Sequence, residues 1–260
     1  MFFFLIRVIN LVVTGKEVFF IGVYLHKPLF PRDPYPSSLF KKENSMSTSN
    51  SSVPAKPAGM TAEELWTIKP GERRSVGVIH IVITALLIGI GFVVGAFGSI
   101  SFPLGFGVNF FWTGIAVQQV GSIWFGAWGV LAGAIFPFFS NAIAGTPFYI
   151  SLAYIPANAV QAFLPAWAFR HYKADPRLKS ARDYWILLGA MIVSSAFGAL
   201  WSPLVVLRGF GLLTADSVPL FIWGWFGGNV LAGLVFNFIL LKALSGVVIR
   251  TTAFVKKWWA

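Results

Sequence analysis

Residues 75–169 read SVGVIHIVITALLIGIGFVVGAFGSISFPLGFGVNFFWTGIAVQQVGSIWFGAWGVLAGAIFPFFSNAIAGTPFYISLAYIPANAVQAFLPAWAF, 95 positions without one Asp, Glu, Lys or Arg. A helix at the surface of a soluble domain keeps a polar side, so a block this long without charge is not water-facing surface. Each pass through a ~30 Å hydrocarbon core takes about 20 apolar residues, and four passes with short turns fit the length. Glycine and proline mark the breaks. A first helix is expected over roughly 78–98, a second over 107–123, a third over 125–143 and a fourth over 148–169. Pro156 and Pro165 fall inside the fourth, where neighbouring helices can satisfy the backbone groups they free.

Charge frames the block on both sides. Lys69, Arg73 and Arg74 precede it, and the loop after it carries Arg170, His171, Lys173, Asp175, Arg177, Lys179, Arg182 and Asp183. A fifth helix is expected over roughly 184–206 and a sixth over 218–241, before a tail with Lys242, Arg250, Lys256 and Lys257. Lysine and arginine in short loops stay in the cytoplasm. Six passes put all three basic clusters on that side and leave Arg208 and Asp216 on the other; five or seven break the agreement. The expected fold is therefore an all-α polytopic membrane bundle of six transmembrane helices, with N-terminus and C-terminus cytoplasmic, in the cell membrane. Trp66, Trp185, Trp258 and Trp259 stand near the expected boundaries, as interfacial anchors do.

Composition agrees. The chain of 260 residues is 57% hydrophobic and 11% charged, with a mean hydropathy of +0.74, against about 25% charged in ordinary soluble domains. The net charge of +11 forms no basic face or stripe, so it matches anionic lipid and not nucleic acid. The membrane body is expected over 75–245, a basic cytoplasmic tail over 246–260, and a poorly structured N-terminal tail over 1–74. Within that tail, six prolines between Pro28 and Pro57 surround a run of Ser and Asn, a linker composition. Met46 and Met60 offer later starts than Met1.

No catalytic constellation is visible. There is no HExxH, GxSxG, paired carboxylate or P-loop, and no cysteine, so neither an enzyme nor a metal or cofactor site is expected. The bundle does carry small and neutral polar residues. Ala85 and Gly89 form a small-xxx-small pair in the first helix, which serves either internal packing or the docking of a partner. Gly126, Gly129, Gly133 and Ala134 suit close packing of the third helix. Asn109, Gln118, Gln119, Asn141, Asn158, Gln161, Asn229 and Asn237 need partners in hydrocarbon, from another helix or from a solute. A solute pocket is expected around Asn158, Trp201, Arg208, Trp223 and Asn229, with Trp225 nearby and residues 99–109 as its lid. Arg208 either pairs an anionic group of the solute or is an interfacial arginine snorkelling to water.

Some of these residues resemble a known family. Residues 83–89 (ITALLIG), 121–134 (GSIWFGAWGVLAGA) and Ser140-Asn141 look like the substrate-binding S component of energy-coupling-factor (ECF) transporters. The resemblance implies capture of a vitamin-like small-molecule solute from outside. It also implies docking, through Ala85 and Gly89, onto a transmembrane coupling subunit driven by two ATPase subunits. Gly89 stands where that family carries a second alanine. A second likeness competes. Residues 111–116 (FWTGIA), 156–162 (PANAVQA) and 223–233 (WGWFGGNVLAG) are similar to the membrane-associated sensor domains of bacterial signalling proteins. Asn229 stands where that family has an acidic residue. The expected sixth helix is followed by fewer residues than an output domain needs, so a free-standing binding module is the expectation.

Overall fold

Helices form through the apolar block and stop where its glycines and prolines stand. The structure, a computed structural model, describes residues 60–72, 74–101 and 103–259; of the tail expected over 1–74, residues 1–59 and Arg73 lie outside them. In chain order the elements are α1 (Ala62–Trp66), α2 (Val78–Ser101), β1 (Pro103–Gly105), β2 (Val108–Asn109), α3 (Gly114–Phe125), α4 (Ala127–Ile143), α5 (Phe148–Ala153), α6 (Ile155–His171), α7 (Ala181–Leu200) and α8 (Val218–Val248). A π-helical stretch, Trp201–Leu207, prolongs α7 and carries Pro203. Apart from the small antiparallel β1–β2 hairpin, the described residues form a helical protein.

The helical segments lie close to the expected regions, with three differences. The sixth continues past 241 to Val248 and takes in Lys242. The second begins at Gly114 and not at 107. Gly105, Phe106 and Gly107 have φ of +115°, +52° and +78°, so the chain turns back as a hairpin before the helix starts. The fourth is divided at Tyr154, after which Pro156 sits in the first turn of α6; a proline there forgoes an N–H that would have had no helical partner anyway. The start of α7 follows from sequence, since Ser180 and Asp183 form a reciprocal capping box.

Among the described residues, three helices are long and apolar enough to cross a membrane: Val78–Gly98, α7 with its extension, Ala181–Leu207, and Val218–Val248. At 1.5 Å per residue, the 31 residues of α8 reach about 46 Å and the 12 of α3 about 18 Å. The short helix is the central one. It packs on α2, α4, α6 and α8, and all but two of its residues are buried. The outer helices turn apolar side chains outward: Val78, Ile81, Val82, Val93 and Phe97 on α2, and Leu220, Leu231, Leu234 and Val235 on α8. Such apolar exteriors suit lipid. Glycine sets the closest approach inside. A Cβ on Gly129 of α4 would lie 2.3 Å from the Gly121 carbonyl oxygen of α3, so these two helices cross backbone on backbone.

One end of the bundle is closed by both flanking segments. Thr61 and Glu64 cap α1 reciprocally, and hydrogen bonds from Thr61 and Lys69 hold the Glu64 carboxyl down to about 2. Trp66 is buried and donates its indole N–H to the Ala174 carbonyl at 2.7 Å. Residues 60–72 are therefore structured, where the composition suggests a tail reaching 74, and Trp66 is an interior residue instead of an interfacial anchor. After α8 the chain folds back: Val255 N–H donates to Trp124 O at 3.0 Å and Ala127 N–H to Trp258 O at 2.8 Å. Glu72 ties the two ends together through Lys256 at 2.8 Å and Arg74 at 2.7 Å. Hydrogen bonds from Lys256, from Arg74 and from the Lys69 backbone hold its carboxyl down to about 2. Arg177 reaches Met60 O, so the three basic clusters meet at this end.

Candidate functional site

Near the other end, β2, α4, α6 and α8 each turn an asparagine toward one cavity. It is lined by Gly107, Val108, Asn109, Trp112, Pro137, Asn141, Asn158, Trp225 and Asn229. The hairpin supplies Asn109, whose Oδ1 accepts from Phe111 N–H at 3.2 Å and whose Nδ2 donates to Gly107 O at 3.4 Å. This local bond holds the residue extended just before α3 begins. The cavity leaves about 20 Å³ for the centres of water-sized molecules, room for one or two waters. A larger solute requires the segment over residues 104–112 to move.

That segment is pressed onto α8. A Cβ on Gly224 would strike Leu104 Cδ1 at 2.1 Å, and one on Gly228 would lie 2.4 Å from Asn109 O. The turn at Phe106 is held from below, where Tyr154 Oη donates to its carbonyl at 3.0 Å. Of the lid expected over residues 99–109, residues 99–101 belong to α2, while Gly107, Val108 and Asn109 line the cavity, and glycines at four-residue spacing on α8 let the hairpin seat against that helix.

Several buried polar atoms around the cavity have no partner among the described residues. They are Asn229 Nδ2, Trp225 Nε1, Gln118 Oε1 and both amide atoms of Gln161. Gln118 Nε2 donates to Gly133 O at 2.8 Å and more weakly to Asn158 Oδ1 at 3.4 Å. Gly198 leaves the space in which Trp225 Nε1 and the Gln161 amide sit side by side. A deeper set behaves differently. Asn237 Nδ2 donates to Gln119 Oε1 at 2.6 Å, and Gln119 Nε2 to Ser194 Oγ at 3.0 Å, so Gln119 and Asn237 join helices to one another.

Of the five residues expected at the pocket, Asn158 and Asn229 line it and three do not. Trp201 donates its indole N–H to Ala153 O at 2.9 Å and stacks on Phe197. Arg208 is exposed at the end of the π-helical stretch. Trp223 is 68% exposed, because two residues along a helix turn a side chain by about 200° away from Trp225. The sequence pattern did not single out Trp112, which joins the lining through its place at the foot of the hairpin. Ala85 and Gly89 lie exposed on the outer face of α2, with nothing within 4 Å of a Cβ built on Gly89. No group of three His, Asp or Glu stands together among the described residues. No protein-family model matches the chain, and neither a curated protein nor a solved structure does.

Proposed function

We propose that the protein is a multi-pass membrane protein that binds a small solute in the asparagine-lined cavity, in the manner of an ECF S component. The observation that carries this is the convergence of Asn109, Asn141, Asn158 and Asn229 with Trp112 and Trp225, with the Asn229 amide left unpartnered. Four amides drawn from four elements into one apolar body are costly unless something hydrogen-bonds them. Aromatic walls with a few convergent polar groups are the usual lining of small-molecule sites. The outward face of Ala85 and Gly89 supports a docking surface for a transmembrane coupling subunit and, through it, two ATPase subunits. The chain itself contains no P-loop and would draw its energy from them.

The topology proposed is six passes with both ends of the body in the cytoplasm, supported by the meeting of the basic clusters at one end. Cysteines at Ala215, in the α7–α8 connection, and at Lys179, exposed just before the α7 cap, test it. In intact cells an impermeant thiol reagent should label the first and spare the second. Equal labelling refutes the topology.

For the site, detergent-purified protein is screened for thermal stabilisation by vitamins and related small solutes, and the best binder is titrated by calorimetry. Asn158→Ala and Asn229→Ala are each expected to weaken it by about 1–3 kcal/mol, because each truncation strands a polar group on the ligand. Trp223→Ala should leave affinity unchanged. Folded asparagine variants that bind like the parent would place the solute elsewhere.

A further inference from the structure

The chemistry of the lining narrows the ligand further, on the premise that the cavity is the binding site. None of its nine lining residues is ionisable, and Arg208, the cation expected to pair an anion there, is exposed and outside it. A charged solute enclosed here would lose its hydration with no counter-ion to replace it, a cost of several kcal/mol even after relaxation. What the walls offer instead is neutral and two-sided. A carboxamide presents an acceptor and a donor in one plane, the pairing by which asparagine and glutamine read the edge of a base. Asn229 Nδ2 is a buried donor without an acceptor. Asn158 Oδ1 receives one long bond of 3.4 Å and has a lone pair left for a donor. Trp112 and Trp225 add aromatic lining, which favours a flat partner.

We infer that the cavity takes an uncharged, planar solute bearing an amide or imide edge, its carbonyl accepting from Asn229 and its N–H donating to Asn158.

Matched probes test this. Benzamide, benzoate and benzylammonium share one ring and differ in charge, and uracil supplies an imide edge. Each is added at millimolar concentration to the purified protein and the melting temperature is followed. Benzamide or uracil should raise it by about 2–4 °C, Asn229→Leu should abolish the rise, and both ions should have no effect. Asn229→Asp supplies a second readout: a carboxylate in the lining should admit benzylammonium and reject benzamide.

Stabilisation of the parent by benzoate or benzylammonium, lost in Asn229→Leu, overturns the neutral class while leaving the cavity as the site. Stabilisation by any probe that persists in both Asn229→Leu and Asn158→Leu overturns the class and the site together. No stabilisation by benzamide or uracil overturns the class alone, and the site is then judged by the unbiased screen.

Discussion

Arg170→Leu is expected to destabilise the protein by about 3–5 kcal/mol and to free its C-terminal tail. Arg170 lies in the last turn of α6, is only 8% exposed and pairs with no carboxylate among the described residues. Carbonyl oxygens take its place. Nη1 donates to Ala166 O at 3.1 Å and Ser122 O at 3.4 Å, Nη2 to Val255 O at 2.9 Å, and Nε to Lys257 O. Two of those carbonyls belong to the C-terminal turns of α3 and α6, where the helix dipole is negative. The guanidinium also lies 4.8 Å from the Trp66 ring centroid and 5.3 Å from that of Trp258. One side chain therefore joins α1, α3, α6 and the returning tail. Leucine keeps part of the apolar bulk but removes all of these bonds; Ser122 O retains Gly126 N–H at 2.9 Å, whereas the tail carbonyls of Val255 and Lys257 lose the guanidinium. Lysine keeps the charge with a single donor head and loses the planar fork, so Arg170→Lys should fall between parent and leucine. Thermal unfolding measures the loss, and trypsin cleavage after Lys256 and Lys257 measures release of the tail. Parent-like melting with an equally protected tail in Arg170→Leu would show that this residue is only one more basic loop charge.

Gly228→Ala should displace the cover of the cavity, at a cost of about 1–3 kcal/mol from overpacking. The added Cβ would meet Asn109 O at 2.4 Å and Phe110 C at 2.9 Å. Both are backbone atoms of the hairpin segment, which cannot yield by a rotamer change and must lift from α8. Asn109 would leave the lining, and affinity for the solute should fall by about 10–100-fold, or 1.4–2.8 kcal/mol. Gly227→Ala provides the control, because a Cβ there meets nothing within 4 Å. A cysteine at Val108, 2% exposed in the parent, should react quickly with a thiol reagent in the Gly228→Ala background and slowly with Gly227→Ala. If the two alanine variants bind solute and protect position 108 alike, the segment over residues 104–112 is not the cover.

Sequence by itself determined the helical class of this protein and much of its helix order. A charge-free run of 95 residues favours long apolar helices, and the breaks within it stand at glycines and prolines whose effect on the backbone is local. The asparagines were legible as costly, since a buried amide needs a partner in any fold. Which partner each has was decided only in three dimensions. Asn229 faces the cavity while Asn237, two turns further along α8, bonds Gln119. Trp225 lines the cavity while Trp223 does not, because apolar composition all round a membrane helix erases the pattern that would reveal its inner face. Arg170 stands at the head of a basic loop in sequence, yet carbonyls brought from residues 122 and 255 make its burial tolerable. Hairpin and helix meet at Gly228 for the same kind of reason: the fit depends on how closely two distant backbones approach, and no local preference encodes that distance.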